Sequence, residues 1–145
     1  NIMSQQNATA SDLVTLARWG SHHCLFYRSQ DDLVKLLAHY FKSGIKNGEA
    51  CIWITPDGNT DKKARGALER VLSNSDISLI SNHIEFMKCS DWYLRDGCFQ
   101  PQQVLKSWTE RLQLALNSGY PALRATGDLS WLDSAGQKQR RVANL

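Results

Sequence analysis

Between His22 and Pro56 the hydrophobic spacing changes from two residues to about 3.6 and back, over HHCLFYRSQDDLVKLLAHYFKSGIKNGEACIWITP. That change spells strand, helix, strand, the pattern of a βαβ unit. In such a unit the turn after the first strand faces the ligand crevice. A phosphate-binding protein places a glycine-rich loop there, whereas this chain has Tyr27-Arg28-Ser29-Gln30-Asp31-Asp32. Much of what the chain can and cannot do follows from that replacement.

With 145 residues, 42% of them hydrophobic, the chain has the length of one domain and enough apolar material for a single core. It has no apolar run of about 18 residues, and its polar start NIMSQQNATAS lacks the apolar core of a signal peptide, so a cytoplasmic protein is expected. The net charge of +3 is scattered except for Lys138, Arg140 and Arg141. Nucleic-acid binding needs a basic face, and this cluster reads instead as a solvated tail. Cys24, Cys51, Cys89 and Cys98 contain no C-x-x-C pair, lie mostly in apolar company and read as reduced, buried thiols rather than a disulfide frame or zinc site.

In chain order, residues 1–10 read as disorder or an expression remnant, and Ser11 caps a short flanking helix. The strand Cys24 to Tyr27 follows. Ser29 and Asp32 then form a capping box for a helix beginning near Gln30, with Leu33, Leu36, Leu37, Tyr40 and Phe41 on one face and Gly44 as its stop. Ala50 to Thr55 is continuously apolar, as a parallel strand covered on both faces should be. Pro56-Asp57-Gly58-Asn59 turns into a helix over 61–73 with Ala64, Leu68, Val71 and Leu72 inward. Ile77 to Ile80 is a candidate short strand and His83 to Cys89 a better one, after which Ser90 to Tyr93 leaves the sheet as a loop or short turn. Pro101 opens a long helix to about Asn117, with Val104, Leu105, Trp108, Leu112 and Ala115 as its stripe and Gly119 as its end. Ala122 to Thr126 is the last strand. Trp53 and Trp108 read as core. Strands alternating with helices imply right-handed crossovers and a three-layer α/β/α fold with a mainly parallel central sheet and no internal repeat.

The Tyr27 to Asp32 turn excludes ordinary phosphate chemistry. A P-loop needs G-x-x-x-x-G-K-[ST], and none of its parts is present. A helix N-terminus favours an anion by ~0.3–1 kcal/mol. A like charge about 4 Å away opposes it by on the order of 4 kcal/mol at an effective dielectric of about 20. Asp31 and Asp32 therefore disfavour a phosphate, and their own complementation of the helix dipole accounts for them. Ser21 and Ser29 have histidines near in sequence but no nucleophile elbow. In His22-His23-Cys24, neighbouring strand residues point to opposite faces, so at most His22 and Cys24 share one and no metal is assigned. No cofactor is expected.

Four blocks carry a family resemblance: H-x-C-x-F-Y at 22–27, GIKNGEACIWIT at 44–55, DWYLRDGCFQP at 91–101 and GYPALRATGDLSWL at 119–132. Together, in this order and spacing, they resemble the MEDS domain, the methanogen/methylotroph sensory domain, over about residues 21 to 132. The resemblance implies a RecA/KaiC-related fold with a degenerate P-loop, acting as a sensory module for small organic compounds beside a histidine kinase or DNA-binding regulator. It implies residues 1–20 as a flexible start with a short flanking helix, 21–133 as the sensory domain and 134–145 as a polar tail. Past Trp131-Leu132 the family pattern continues with a helix and a strand carrying a cysteine and tyrosine, whereas this chain has GQKQRRVANL, as in a truncated or shortened member.

Carried onto this sequence, the family blocks imply a pocket wall of His22, Tyr27, Trp92, Tyr93, Arg124, Asp128 and Trp131, with aromatic walls and Arg124 or His22 fixing a polar group. The alternatives are core packing for Tyr93 and Trp131, an ion pair with Asp128 for Arg124, and capping of a backbone carbonyl for His22. The implied function is non-enzymatic: binding a small, partly apolar organic molecule and regulating a transcriptional or kinase effector, with neither nucleic acid nor membrane as direct partner and a homodimer as an option. Two other readings stand beside it, a degenerate RecA-like nucleotide-binding domain and a ligand-free interaction or dimerisation module.

Overall fold

A computed structural model describes residues 18–56, 60–129 and 132. Helix α1 (Gln30–Lys46) leads into β1 (Ala50–Thr55), then α2 (Thr60–Val71), two single turns α3 (Asn74–Ile77) and α4 (Ile80–His83), and β2 (Ile84–Lys88). A short helix α5 (Cys89–Tyr93), the strands β3 (Leu94–Arg95) and β4 (Cys98–Phe99), the long helix α6 (Pro101–Asn117) and β5 (Leu123–Thr126) complete them. The protein is thus an α/β fold around a three-stranded sheet of order β2-β1-β5. Both pairings are parallel, with Cys51 opposite Ile84 on one side and Arg124 on the other.

β1 is the centre of the sheet, and its ACIWIT sequence is buried from Cys51 to Thr55. Because strand side chains alternate, β1 feeds two cores. Cys51 and Trp53 join Val34, Ala38, Phe41 and Leu68 of α1 and α2. Ile52 and Ile54 join Cys89, Trp92 and Tyr93 of α5, with Val104 and Trp108 of α6 packed alongside. Aromatic contacts order both sides: Phe41 stacks on Trp53 at 4.9 Å between centroids, and Trp92 meets Trp108 at 4.3 Å with the rings tilted by 52°. Full burial of such a side chain contributes roughly 1.5–3 kcal/mol.

The helix signals held where a side chain could decide them. Ser29 caps α1 by accepting from the Asp32 backbone N–H at 3.2 Å, and its hydroxyl donates to the Asp32 carboxylate at 2.7 Å. Pro101 sits in the first turn of α6, and Gly119 ends that helix at φ +89° with Tyr120 N–H donating to Ala115 C=O.

Five expectations are corrected. Only Cys51 and Cys89 are buried thiols: Cys98 lies on the exposed two-residue strand β4, and Cys24 is exposed on the segment before α1. Cys24 to Tyr27 is not a strand: it pairs with no strand among the described residues, and Phe26 is 93% exposed. A strand needs a ladder partner, and this segment instead runs along the cavity described below. Gly44 does not stop α1. The helix continues to Lys46 and closes at Gly48 (φ +70°), where the Gly48 N–H donates to Ile45 C=O and the Glu49 N–H to Gly44 C=O, a Schellman closure. Ile77 to Ile80 is not a strand but parts of α3 and α4, because the Ser73-Asn74-Ser75-Asp76 segment starts a helical turn, with the Ser73 hydroxyl on Asp76 and the Ile77 N–H on Ser73 C=O. The inward stripe of α6 is Val104, Trp108, Arg111 and Ala115, while Leu105 and Leu112 are exposed, because the tilted ring contact of Trp108 with Trp92 and the Arg111–Glu85 ion pair set the rotation of the helix.

Sequence reading also left out the β3–β4 hairpin, whose two-residue turn Asp96-Gly97 has φ +53° and +73°. Both angles are those of a type I′ turn, which the Asp-Gly dipeptide favours. The Ser11 helix, residues 57–59 of the Pro56 turn, Trp131 and the Lys138–Arg141 cluster lie outside the described residues.

Gly44 has another task. A Cβ there would lie 2.7 Å from Arg124 Cδ and 2.9 Å from Cys51 Sγ. In an open helix Gly→Ala gains about 1 kcal/mol. Here Gly44→Ala should instead lose about 1–3 kcal/mol by overpacking. Urea unfolding checks this, and a stabilised variant would contradict the close approach.

Candidate functional site

A cavity of about 570 Å³ opens beyond the carboxyl ends of β1 and β5. These two strands are neighbours in the sheet but far apart in the chain, and α/β folds bind ligands at such breaks in strand order. The first turns of α1 form one wall, through Gln30, Leu33, Leu36, Leu37 and Tyr40. The strand ends supply Thr55, Ala125 and Thr126, and residues 21–25 and Tyr27 run along the remaining side. The Ser29 cap fixes where α1 begins and so where this wall stands. An Asp31–Lys63 ion pair ties the same end to α2, and Lys63 holds the Asp31 carboxyl below its ordinary value.

Among the apolar residues sits a polar corner. Asp128 is buried although it lies just past β5, and Tyr93 beside it is buried too. A Cβ on Gly127 would come 2.6 Å from the Tyr93 Oη, so the phenol passes directly over that glycine. Burial first, and then the Asp128 and Cys89 charges, push the Tyr93 phenol up to about 12. Among the described residues that line the cavity there is no lysine and no arginine.

His22, Tyr27, Tyr93 and Asp128 of the expected wall do come together on the cavity. Trp92 does not. It points into the second core against Trp108, with its Nε1 buried and without a hydrogen-bond partner among the described residues. Arg124 lies at the opposite end of the sheet. It does not pair with Asp128 but makes a bidentate ion pair with Glu49, at 2.6 Å from Nε and 3.1 Å from Nη2, and donates from Nη1 to Tyr40 C=O. Trp19 Nε1 and Asn47 Nδ2 donate to the same carboxylate. Burial alone would raise the Glu49 carboxyl, but these bonds outweigh it and hold it low. Trp131 is outside the described residues.

The α1 wall was the part sequence reading treated as plain core. Its signal was width. Apolar positions from Leu36 through Leu33 and Val34 to Ala38 sweep an arc of roughly 200° at about 100° per residue, about twice a minimal core stripe. Val34, Ala38 and Phe41 face the core, and the excess faces the cavity.

One serine and histidine do meet here, His23 Nε2 lying 3.0 Å from Ser21 Oγ. The Ser21 hydroxyl, however, gives its one proton to Arg18 C=O at 2.5 Å. The imidazole must then donate to the serine oxygen, the reverse of an activated nucleophile. Among the described residues no cluster of three or more His, Cys, Asp or Glu could hold a metal, and no helix is long and apolar enough to cross a membrane.

Two measurements follow. Arg124→Met should lose about 3–5 kcal/mol in urea unfolding, because it leaves a buried carboxylate without its cation. Glu49 is held low, so its stabilisation is present above its ordinary value of 4.5 and is lost as pH falls; the gap between wild type and variant should narrow below that pH. The second measurement concerns alkali. Burial raises Cys51 from 9.0 to about 12 and Tyr93 from 10.0 to about 12. Groups raised in this way favour the folded state less as pH climbs past their unfolded values, so the melting temperature should fall from about pH 9 up to about pH 12. Tyr93→Phe should flatten the upper part of that fall, and a flat wild-type profile would contradict both assignments.

The family model described as MEDS, the MEthanogen/methylotroph, DcmR Sensory domain, matches residues 21–145. No curated protein and no solved structure matches the chain.

Proposed function

The chain belongs to the MEDS family of sensory domains, and from that premise we propose that it is a non-enzymatic sensory module whose cavity takes up a small, partly apolar organic molecule and whose occupancy regulates a transcriptional or kinase effector. The observation that carries this reading is the 570 Å³ cavity, apolar in its walls and provided with a few polar groups at one corner and along the mouth. That is the size and composition of small-molecule sites in general. Ligand contact is assigned to His22, Tyr27, Tyr93 and Asp128, while Trp92 and Arg124 are assigned to holding the fold. The reading includes descent from a three-layer RecA/KaiC-like fold. In its favour are the parallel sheet with a core on each face and a first helix whose N-terminus carries Asp31 and Asp32 in place of a phosphate loop.

The test is native mass spectrometry of protein purified from cells, followed by a thermal-shift screen of small organic metabolites. A ligand found in this way should raise the melting temperature of wild type but not of Leu36→Trp, which fills the cavity from a half-buried wall position. A stabilisation that survives both Leu36→Trp and Tyr27→Ala would place binding elsewhere. One observation favours the ligand-free module as a second reading: Leu105, Leu112 and Leu116 lie exposed along one side of α6. That reading replaces the first if no metabolite stabilises the protein and solution scattering reports a dimer that Leu112→Lys returns to monomer.

A further inference from the structure

The cavity is graded in polarity along α1. At its mouth stand His22, His23, Tyr27 and Gln30, all of them exposed. From Gln30 the same helix carries Leu33, Leu37 and Tyr40 inward along the wall, over about 15 Å at 1.5 Å per residue. The buried side chains Trp53, Ile54 and Ala64 line the inner part. Four hydroxyls also lie on the wall there, and each already has a main-chain partner. Thr55 donates to Met87 C=O at 3.2 Å, Tyr40 to Ala125 C=O at 3.4 Å and Thr60 to Pro56 C=O, while Thr126 Oγ1 accepts from the Ile54 N–H at 3.3 Å. A hydroxyl has one proton, so three of the four have given theirs to the backbone. Tyr93 and Asp128 at the polar corner have partners as well.

We propose that the cavity takes its guest apolar end first and accepts polarity at one end only, the polar group staying at the mouth beside Gln30, Tyr27 and His22. This rests on the reading of the cavity as a ligand site. A polar group carried to the inner end gives up its water and meets hydroxyls that are already committed, the costly case of burial without a compensating hydrogen bond. At the mouth the same group keeps its water or exchanges it for an exposed side chain. Leu33, Leu37 and Trp53 meanwhile reward the apolar end in proportion to the area it buries. Thr55, Thr60 and Tyr40 are on this account specificity-determining residues: tied to carbonyls, they fill the inner wall with hydroxyls that do not recruit a polar guest.

The experiment titrates the full chain calorimetrically with the ortho and para isomers of benzenedimethanol and with para-methylbenzyl alcohol. The two isomers have the same atoms; the ortho compound carries both hydroxyls at one end, and the para compound carries one at each. The ortho isomer should bind about tenfold or more tightly than the para isomer, the usual penalty for one buried hydroxyl left without a partner, and para-methylbenzyl alcohol at least as tightly as the ortho isomer. Leu37→Gln, which brings an amide to a half-buried position of the inner wall, should narrow the gap by strengthening the para isomer. Isomers of equal affinity, a preference for the para isomer, or binding of para-methylbenzyl alcohol with neither isomer would overturn the orientation while leaving the cavity as a ligand site. Absence of binding by all three would overturn the orientation and count against the cavity reading as well. The wild-type ranking decides the matter even if Leu37→Gln fails to fold.

Discussion

The buried ion pair between Glu49 and Arg124 is the contact on which the arrangement of the other parts depends. Glu49 stands immediately before the central strand, Arg124 belongs to the neighbouring strand, and the guanidinium reaches past Gly44 to the Tyr40 carbonyl. One side chain thus fastens β1, β5 and the last turns of α1 together. Such a pair is not cheap to bury, and its desolvation is offset only when the remaining donors and acceptors are used. Here Trp19, Asn47 and the face of the Tyr40 ring, 4.6 Å from the guanidinium carbon, complete the set. Because the clamp fixes the back of α1, it fixes where the front of α1 stands, and the front of α1 is the cavity wall.

The fold was legible where a few neighbouring residues determine the outcome. ACIWIT could only be a strand covered on both sides, the Ser29 cap needed nothing beyond Asp32, and Pro101 with Gly119 bracketed α6. It was illegible where the outcome depends on a distant partner. HCLFY has the residues of a strand, yet no ladder receives it. Leu105 and Leu112 continue a helical stripe, yet the packing of Trp108 against Trp92 turns them outward. Gly44 looked like punctuation and proved to be clearance for a side chain 80 positions later. The Asp96-Gly97 turn is different: its signal was local and available.

The candidate site divides along the same line. Tyr93, Asp128, His22 and Tyr27 were placed on one crevice by the family resemblance of the blocks that carry them, and they do line one cavity. Trp92 and Arg124 could not be separated from them, because adjacent residues on a short helix, or residues at the two ends of one short strand, differ only in direction. The partner of Arg124 is 75 positions upstream, beyond any local inference.

The segment from Trp19 to Ser29 is anchored at both extremities, by the Trp19 indole on Glu49 at the back of the sheet and by the Ser29 cap at the front. Between those anchors lies the 17-residue length of α1, about 25 Å at 1.5 Å per residue. Ten residues of chain can stretch at most ~33–36 Å. The slack is therefore only about 10 Å, enough for Leu25 or Tyr27 to swing aside but not for the whole strap to lift off while both ends hold. The strap is therefore held on a short leash, and opening the chamber mouth widely requires the Trp19 indole to leave Glu49.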